Sequence, residues 1–372
     1  KAQAKAEPMD LGWTRELIWA LNSVGSVLQQ QGYLKEAEEA FMNAFEFSQW
    51  QSDRNPDDPD LQRDREVIRN KLGEVRFALA DYPGALSAYQ ESLVIAQKLL
   101  DSDPTRITYM RDVSYTQERI GDVYVAMGDR QSARAAFDVA MRISQQLVDE
   151  FPTDQEFRRD LSVAYERLGD MMIAENDLDS ALASYLEALN IREDLAKLDP
   201  TNRMRQRDSS VTYERIGDIY AAMGDVGSAL MSHQQALDLR EKLVALDPGS
   251  AQWARDLSVS YERIGELYYG EGEYQGALEY YEKCRDARLA IVALDPSNLP
   301  RQRDLGVAYE KVALTLAAMG EADKALEVHK TVLELRRQTA AADPTVAQYS
   351  RDVTFTLLQM AEVLRGKGDQ AG

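Results

Sequence analysis

The side chains of this 372-residue sequence most able to do chemistry are its carboxylates and guanidiniums, and they recur in rows. A spacing of i, i+4, i+7, i+11 and i+14 keeps residues on one face of a helix. At that spacing the rows read Arg111-Tyr115-Glu118-Asp122-Val125 and Arg159-Val163-Glu166-Asp170-Ile173. The next two are Arg207-Val211-Glu214-Asp218-Ala221 and Arg255-Val259-Glu262-Glu266-Tyr269. An adjacent stripe sets Asp112 with Arg119, Asp160 with Arg167, Asp208 with Arg215 and Asp256 with Arg263. Paired carboxylates can serve as general acid and base, but only where one site gives the two groups unlike environments. Four nearly identical rows lack that asymmetry, so no catalytic residue is expected. A single cysteine, Cys284, excludes an internal disulfide framework and a multi-cysteine zinc site. The only histidines, His233 and His329, are too far apart in sequence to suggest a shared metal. Gly270-Glu271-Gly272 lacks the preceding strand that a phosphate-binding loop needs. No metal or cofactor is expected.

Composition narrows the partners. With 63 Asp+Glu against 43 Lys+Arg, the formal net charge is −20. Nucleic acid binding needs clustered cations to displace counterions, and an anionic membrane surface needs the same, so both are disfavoured. No apolar run approaches the roughly 18 residues of a spanning helix. A 44% hydrophobic, 28% charged composition is that of a folded chain. The first residue is Lys1 rather than Met, which suggests a processed protein or a piece of a longer one.

The elements that must position these rows follow from an internal period. Pro8, Pro56, Pro104, Pro152, Pro200, Pro248, Pro296 and Pro344 fall at one constant interval. That period of about 48 residues lies within the range of solenoid repeats. Gly25, Gly73, Gly121, Gly169, Gly217 and Gly265 keep the same step, as does the alanine series from Ala37 to Ala325. Each unit reads as two helices. In one, Val211, Tyr213, Ile216, Ile219 and Tyr220 recur at helical spacing, and Gly224 supplies a left-handed stop. Asp225 then caps a second helix carrying Ala229, Leu230, Ala236, Leu237, Leu239 and Leu243. That helix ends at Asp247-Pro248, because a residue preceding proline is pushed out of the helical region. No strand alternation appears. His233 and His329 occupy the slot of Phe41, Tyr89, Phe137, Tyr185 and Tyr281, which reads as a ring at a helix interface. Cys284 takes the small-residue slot of Ala140, Ala188 and Ala236, so it reads as a buried thiol, and Met127, Met223 and Met319 read as packing residues.

Tyr261-x2-Ile264-Gly265-x2-Tyr268, then Ala277-x3-Tyr281 and Pro296, resembles the tetratricopeptide repeat signature W-x2-L-G-x2-Y, A-x3-F, P. The leading aromatic is Tyr165, Tyr213, Tyr261 and Tyr309 here, and Gln117 or Arg69 in earlier units. The family repeat is about 34 residues long. The extra length here divides into about seven residues on each helix, two turns that nearly preserve the packing face. The resemblance implies an all-α, right-handed superhelical solenoid of tandem helix-turn-helix repeats with extended helices. This long form is similar to repeats of bacterial signalling proteins, where they follow TIR, kinase, NTPase or caspase-like modules.

The period places seven helix pairs at about 10–55, 57–103, 105–151, 153–199, 201–247, 249–295 and 297–343, with a capping helix at 346–366. Residues 1–8 read as a linker, 9–366 as one solenoid and 367–372 as a tail. The resemblance further implies that first helices line a concave groove, so the four rows become the candidate partner-binding residues. Two readings of them stand. The rows can form a ladder in which the arginine of one unit meets an acid of the next. Alternatively, with a surplus of about four negative charges, they can receive a protein or peptide carrying a basic or amphipathic segment. Lys and Asn, which the family uses to grip a peptide carboxylate, are absent from the usual slots. The function expected is a non-catalytic protein-interaction scaffold, or alternatively a regulatory region controlling a larger signalling protein. Self-association is open. The location expected is cytoplasmic, or periplasmic if a leader has been removed.

Overall fold

The computed structural model describes residues 11–368, among which fifteen α-helices follow one another without a strand. They are α1 (Leu11–Gln30), α2 (Leu34–Arg54), α3 (Pro59–Ala78), α4 (Tyr82–Ser102), α5 (Ile107–Met127), α6 (Arg130–Glu150), α7 (Gln155–Ala174) and α8 (Leu178–Leu198). The series continues with α9 (Arg203–Ala222), α10 (Val226–Leu246), α11 (Ala251–Gly270), α12 (Tyr274–Leu294), α13 (Leu299–Ala318), α14 (Ala322–Ala342) and α15 (Ala347–Gly366). Odd-numbered helices are the first members of hairpins and even-numbered helices the second. The chain is all-α, a tandem array of helix hairpins, and it divides into two compact units at Ala188/Leu189, within α8. The expected linker 1–8, the start of the first pair near residue 10 and the tail from 369 onward lie outside the described residues.

Local chemistry sets the helix ends. First helices stop at a left-handed residue, Gly128 and Gly224 each at φ 80°. Glycine reaches that region without a Cβ penalty. Ala80 (φ 60°) and Asn176 (φ 62°) hold the same slot without that freedom. The following aspartates cap the second helices: Asp129 accepts from the Ser132 amide at 3.1 Å and Asp225 from the Ser228 amide at 3.0 Å. Second helices end on Asp103, Asp247, Asp295 and Asp343, whose extended φ lies between −140° and −150°, as a following proline requires.

Within a hairpin, the glycine of the first helix lies under the aromatic of the second. A Cβ on Gly121 would stand 2.4 Å from the Phe137 ring, and one on Gly217 would stand 2.7 Å from His233. Each ring is held against bare backbone. The alanines Ala37, Ala85, Ala133, Ala181, Ala229, Ala277 and Ala325 are completely buried at the same interfaces. His233 and His329 are buried in the aromatic slot. Burial, then the charges of Arg263 and Arg240, push the His233 imidazole down to about 4, and burial lowers His329 as well. Both are neutral core rings at pH 7. Cys284 is free and buried, its thiol pushed up to about 12 by that burial and thereby kept protonated. Met127 and Met223 depart from the packing expectation, since they are 48% and 42% exposed at the ends of α5 and α9. Each stands next to the glycine stop, at the hairpin turn where the partner helix only begins.

Gly217→Val forces the His233 ring out of its seat. Its thermal unfolding is expected to show a loss of at least about 1 kcal/mol, the lower end of the range for overpacked cores, and a midpoint within a degree of the parent's would refute this packing.

Candidate partner-binding face

The rows on the first helices are joined by a ladder. Each rung runs from an arginine to the aspartate on the next first helix, one repeat further along the chain. Arg15 meets Asp64 at 2.6 Å, Arg63 meets Asp112 at 2.6 Å and Arg111 meets Asp160 at 2.8 Å in the first unit. Arg207 meets Asp256 at 2.6 Å and Arg303 meets Asp352 at 2.6 Å in the second. The first two use two nitrogens on two carboxylate oxygens, the geometry for which a guanidinium is pre-shaped. Arg255 is exposed and forms no rung.

Behind the ladder lies a second set of arginines that a pattern-based reading of the sequence passes over. Arg192, Arg240, Arg288 and Arg336 come from second helices at the repeat step and are largely buried. Arg240 donates to the Asp256 carbonyl at 2.9 Å and to the hydroxyls of Ser260 at 2.8 Å and Ser210 at 3.3 Å. Its remaining nitrogen meets Glu214 at 2.5 Å. Arg336 repeats the arrangement with the Asp352 carbonyl, Thr356 and Glu310, and Arg288 with the Asp304 carbonyl and Glu262. Arg192 reaches the Asp208 carbonyl at 3.1 Å and Thr212 at 2.6 Å. Glu214 and Glu262 therefore serve as counter-ions to guanidiniums inside the stack. Only the recurrence of arginine at those four numbers could have disclosed them, because helical periodicity places a lone arginine at the surface by default.

Most other row acids are also engaged. Asp122 sits between Arg119 at 3.2 Å and Arg167 at 3.3 Å. Asp218 meets Arg263 at 3.3 Å, and Glu266 meets both Arg263 at 3.2 Å and Lys311 at 2.5 Å. Burial raises Glu118 to about 7 against the pull of Arg119 and Arg167, and burial also raises Asp122 and Asp218. Glu266 is pushed up by burial but ends below its ordinary value, because Lys311 and Arg263 hold it charged. Asp170 is exposed and accepts from the Tyr185 hydroxyl at 2.5 Å. Arg159 is exposed and Glu166 half-buried, and neither lacks partners. What stands out from these rows into solvent is largely apolar: Tyr115, Val125 and Ile173 in the first unit and Tyr269 in the second.

The first unit solves the same interior without buried arginine. Ser48, Ala96 and Ser144 take the slot, and Glu66 enters from the first helix. Glu66 accepts from Asn70 at 2.5 Å and Ser92 at 3.0 Å, and its second carboxyl oxygen has no partner. Burial, reinforced by Asp112, raises it to about 8, so it is neutral at pH 7.

The fold and these interfaces define the class as a tandem array of tetratricopeptide-type hairpins. Residues 258–292 match the family model described as tetratricopeptide repeat. The structure is similar to that of BtubC (BKLC) from P. vanneervenii, with TM-score 0.55 and 19% identity over 69% of this chain and 92% of that one. It is also similar to a Signal Transduction ATPase with Numerous Domains (STAND) protein with a tetratricopeptide repeat sensor from Pyrococcus horikoshii. There the TM-score is 0.56 at 14% identity over 94% of this chain, which spans 48% of the length of that protein. No curated protein matches the chain in sequence. Among the described residues no helix is long and apolar enough to cross a membrane, and no group of three or more His, Cys, Asp or Glu could hold a metal ion.

Two outcomes follow from the buried groups. Glu214→Lys leaves Arg240 facing a like charge, and a fall of about 3–5 kcal/mol in denaturant-derived stability is expected, whereas Gln235→Lys on the exposed side of α10 should change it little. Glu66 gains its proton on folding, so its contribution is full below about pH 4.5 and is lost as pH rises to about 8. Glu66→Gln should remove that slope and be the more stable form at pH 8, by about 1 kcal/mol or more; parallel pH–stability curves for the two proteins would refute the buried neutral carboxyl.

Proposed function

We propose that the chain is a non-catalytic protein-interaction scaffold that receives an amphipathic partner segment on its first helices. The supporting observation is the contrast along the rows. Most charged members are engaged by the ladder, the buried arginines or neighbouring ions, while Val125 and Ile173 remain exposed and uncommitted to the core. Unpaired apolar side chains framed by charge favour a helix or extended segment with one apolar edge. Asp170, beside Ile173, gives that segment a reason to carry a cation. The exposed face draws on several repeats, as in solenoids that bind extended ligands.

A second reading has a specific observation in its favour. The likeness to a STAND protein with a tetratricopeptide repeat sensor runs along nearly the whole of this chain, which supports a role as the sensor or regulatory region of a larger signalling protein. The two readings share the binding face and differ in what binding controls.

A display selection against the purified chain tests the first. Peptides with an apolar edge flanked by Lys or Arg are expected to be enriched. Val125→Asp combined with Ile173→Asp, two exposed positions, should abolish their capture while leaving the circular dichroism spectrum and midpoint unchanged. Enrichment that survives both substitutions would place recognition on another face.

A further inference from the structure

One rung of the ladder is open, and a cavity stands there. In the second unit, a cleft of 570 Å³ lies between α11 and α13 with the base of α12 behind it. Four arginines face it, Arg207, Arg255, Arg288 and Arg301, against two acids, Asp256 and Asp304. Arg207 is spent on Asp256 and Arg288 on Glu262 and the Asp304 carbonyl. Arg255 would close its rung on Asp304, the equivalent aspartate of the next first helix, but the guanidinium makes no hydrogen bond or ion pair among the described residues. The Arg301 guanidinium has none either; it acts only from a distance, as a minor influence that helps lower Asp295. Two guanidiniums without a hydrogen bond or ion pair thus line one cleft, against the single unpaired carboxylate of Asp304, in a chain of net charge −20.

The repeat supplies an internal comparison. The equivalent cleft of the first unit, lined by Arg63, Arg111, Asp112, Glu118 and Asp160, has 270 Å³. Its Arg111 is closed onto Asp160 and lies 5.5 Å from the Phe157 ring. Phe157 stands where the second unit has Arg301, and Ser144 where it has Arg288, each three repeats on. The same architectural gap is therefore small and acidic in one place, and large and cationic in the other.

We propose that the Arg255–Arg301 cleft binds a small phosphorylated molecule through its dianionic phosphoryl group. One phosphoryl group can accept from both guanidiniums, whose planar forks fit its oxygens, and Arg255 and Arg301 together with the unpaired Asp304 carboxylate leave the cleft a net positive charge. Val259, Ile291 and Pro300 form an apolar wall for the body of the ligand, and Gln252 offers an amide at the mouth. A volume of 570 Å³ is within the range of small-molecule sites.

Isothermal titration of the purified chain with inorganic phosphate, at low ionic strength so that the attraction is not screened, tests the assignment. One saturable site is expected. Arg255→Gln and Arg301→Gln should each weaken it about tenfold, the worth of one charge-assisted hydrogen bond, without changing the circular dichroism spectrum. Arg111→Gln, at the smaller cleft where the arginine is paired with Asp160, should bind like the parent. Malonate, a dianion with its charges on two carboxylates, should bind more weakly than phosphate. Absence of saturable heat with the parent, unaltered binding by both cleft variants, or an equal loss in Arg111→Gln would overturn the site. Malonate binding as tightly as phosphate would overturn the phosphoryl assignment.

Discussion

A guanidinium removed from water at a helix interface must have its donors matched, because an unpaired buried cation costs several kcal/mol. Residues 189–368 are organised around that requirement. Asp256 meets it twice, its carboxylate taking Arg207 from the preceding first helix and its carbonyl taking Arg240 from the helix between. Asp352 does the same for Arg303 and Arg336. One residue thus fixes three helices relative to one another. Glu214 closes the remaining side of Arg240, and Glu310 takes one more nitrogen of Arg336, whose Nε, where Gly306 replaces the serine, has no partner. Ion pairs of this kind add less to stability than apolar packing of the same volume would, but each joins named partners on successive hairpins.

The earlier repeats are tied by the part-buried rungs and by Asp122, which bridges Arg119 and Arg167. With serine or alanine in the interior slot, no charge needs matching there, and Glu66 enters as an uncharged group bonded to Asn70 and Ser92. The cost is a carboxyl oxygen without a partner. The two halves therefore differ in how their stability should respond to pH: the first carries a group that resists ionisation, and the second carries ion pairs already formed at neutral pH.

Much of the fold was legible in the residues. Proline, glycine and alanine at a constant step mark hairpins directly, because each answers a local requirement: a chain leaving a helix, a ring lying on bare backbone, a close helix contact. The Arg–Asp rungs were legible for the same reason, as one of two readings of a repeated pair. What escaped was the fate of the glutamates. Glu214 faces the next stripe by spacing alone, and nothing in its own helix shows that Arg240, on the partner helix, folds over it. The sign of the exposed face depended on that hidden cation. The exposure of Met127 was missed because it stands at the hairpin turn, where the partner helix only begins, which side-chain periodicity does not encode.

The paired slots also have a genealogical consequence. An array that grows by copying units ordinarily allows any copy to be exchanged for any other by recombination. Here an exchange that brings an arginine-bearing second helix next to the Glu66 type of first helix would set Glu66 in place of its serine and Asn70 in place of its glutamate. The reverse exchange would strand Glu214 without its counter-charge. Lineages of this array can therefore trade modules freely within each dialect, whereas a crossover between dialects needs several simultaneous substitutions to remain foldable.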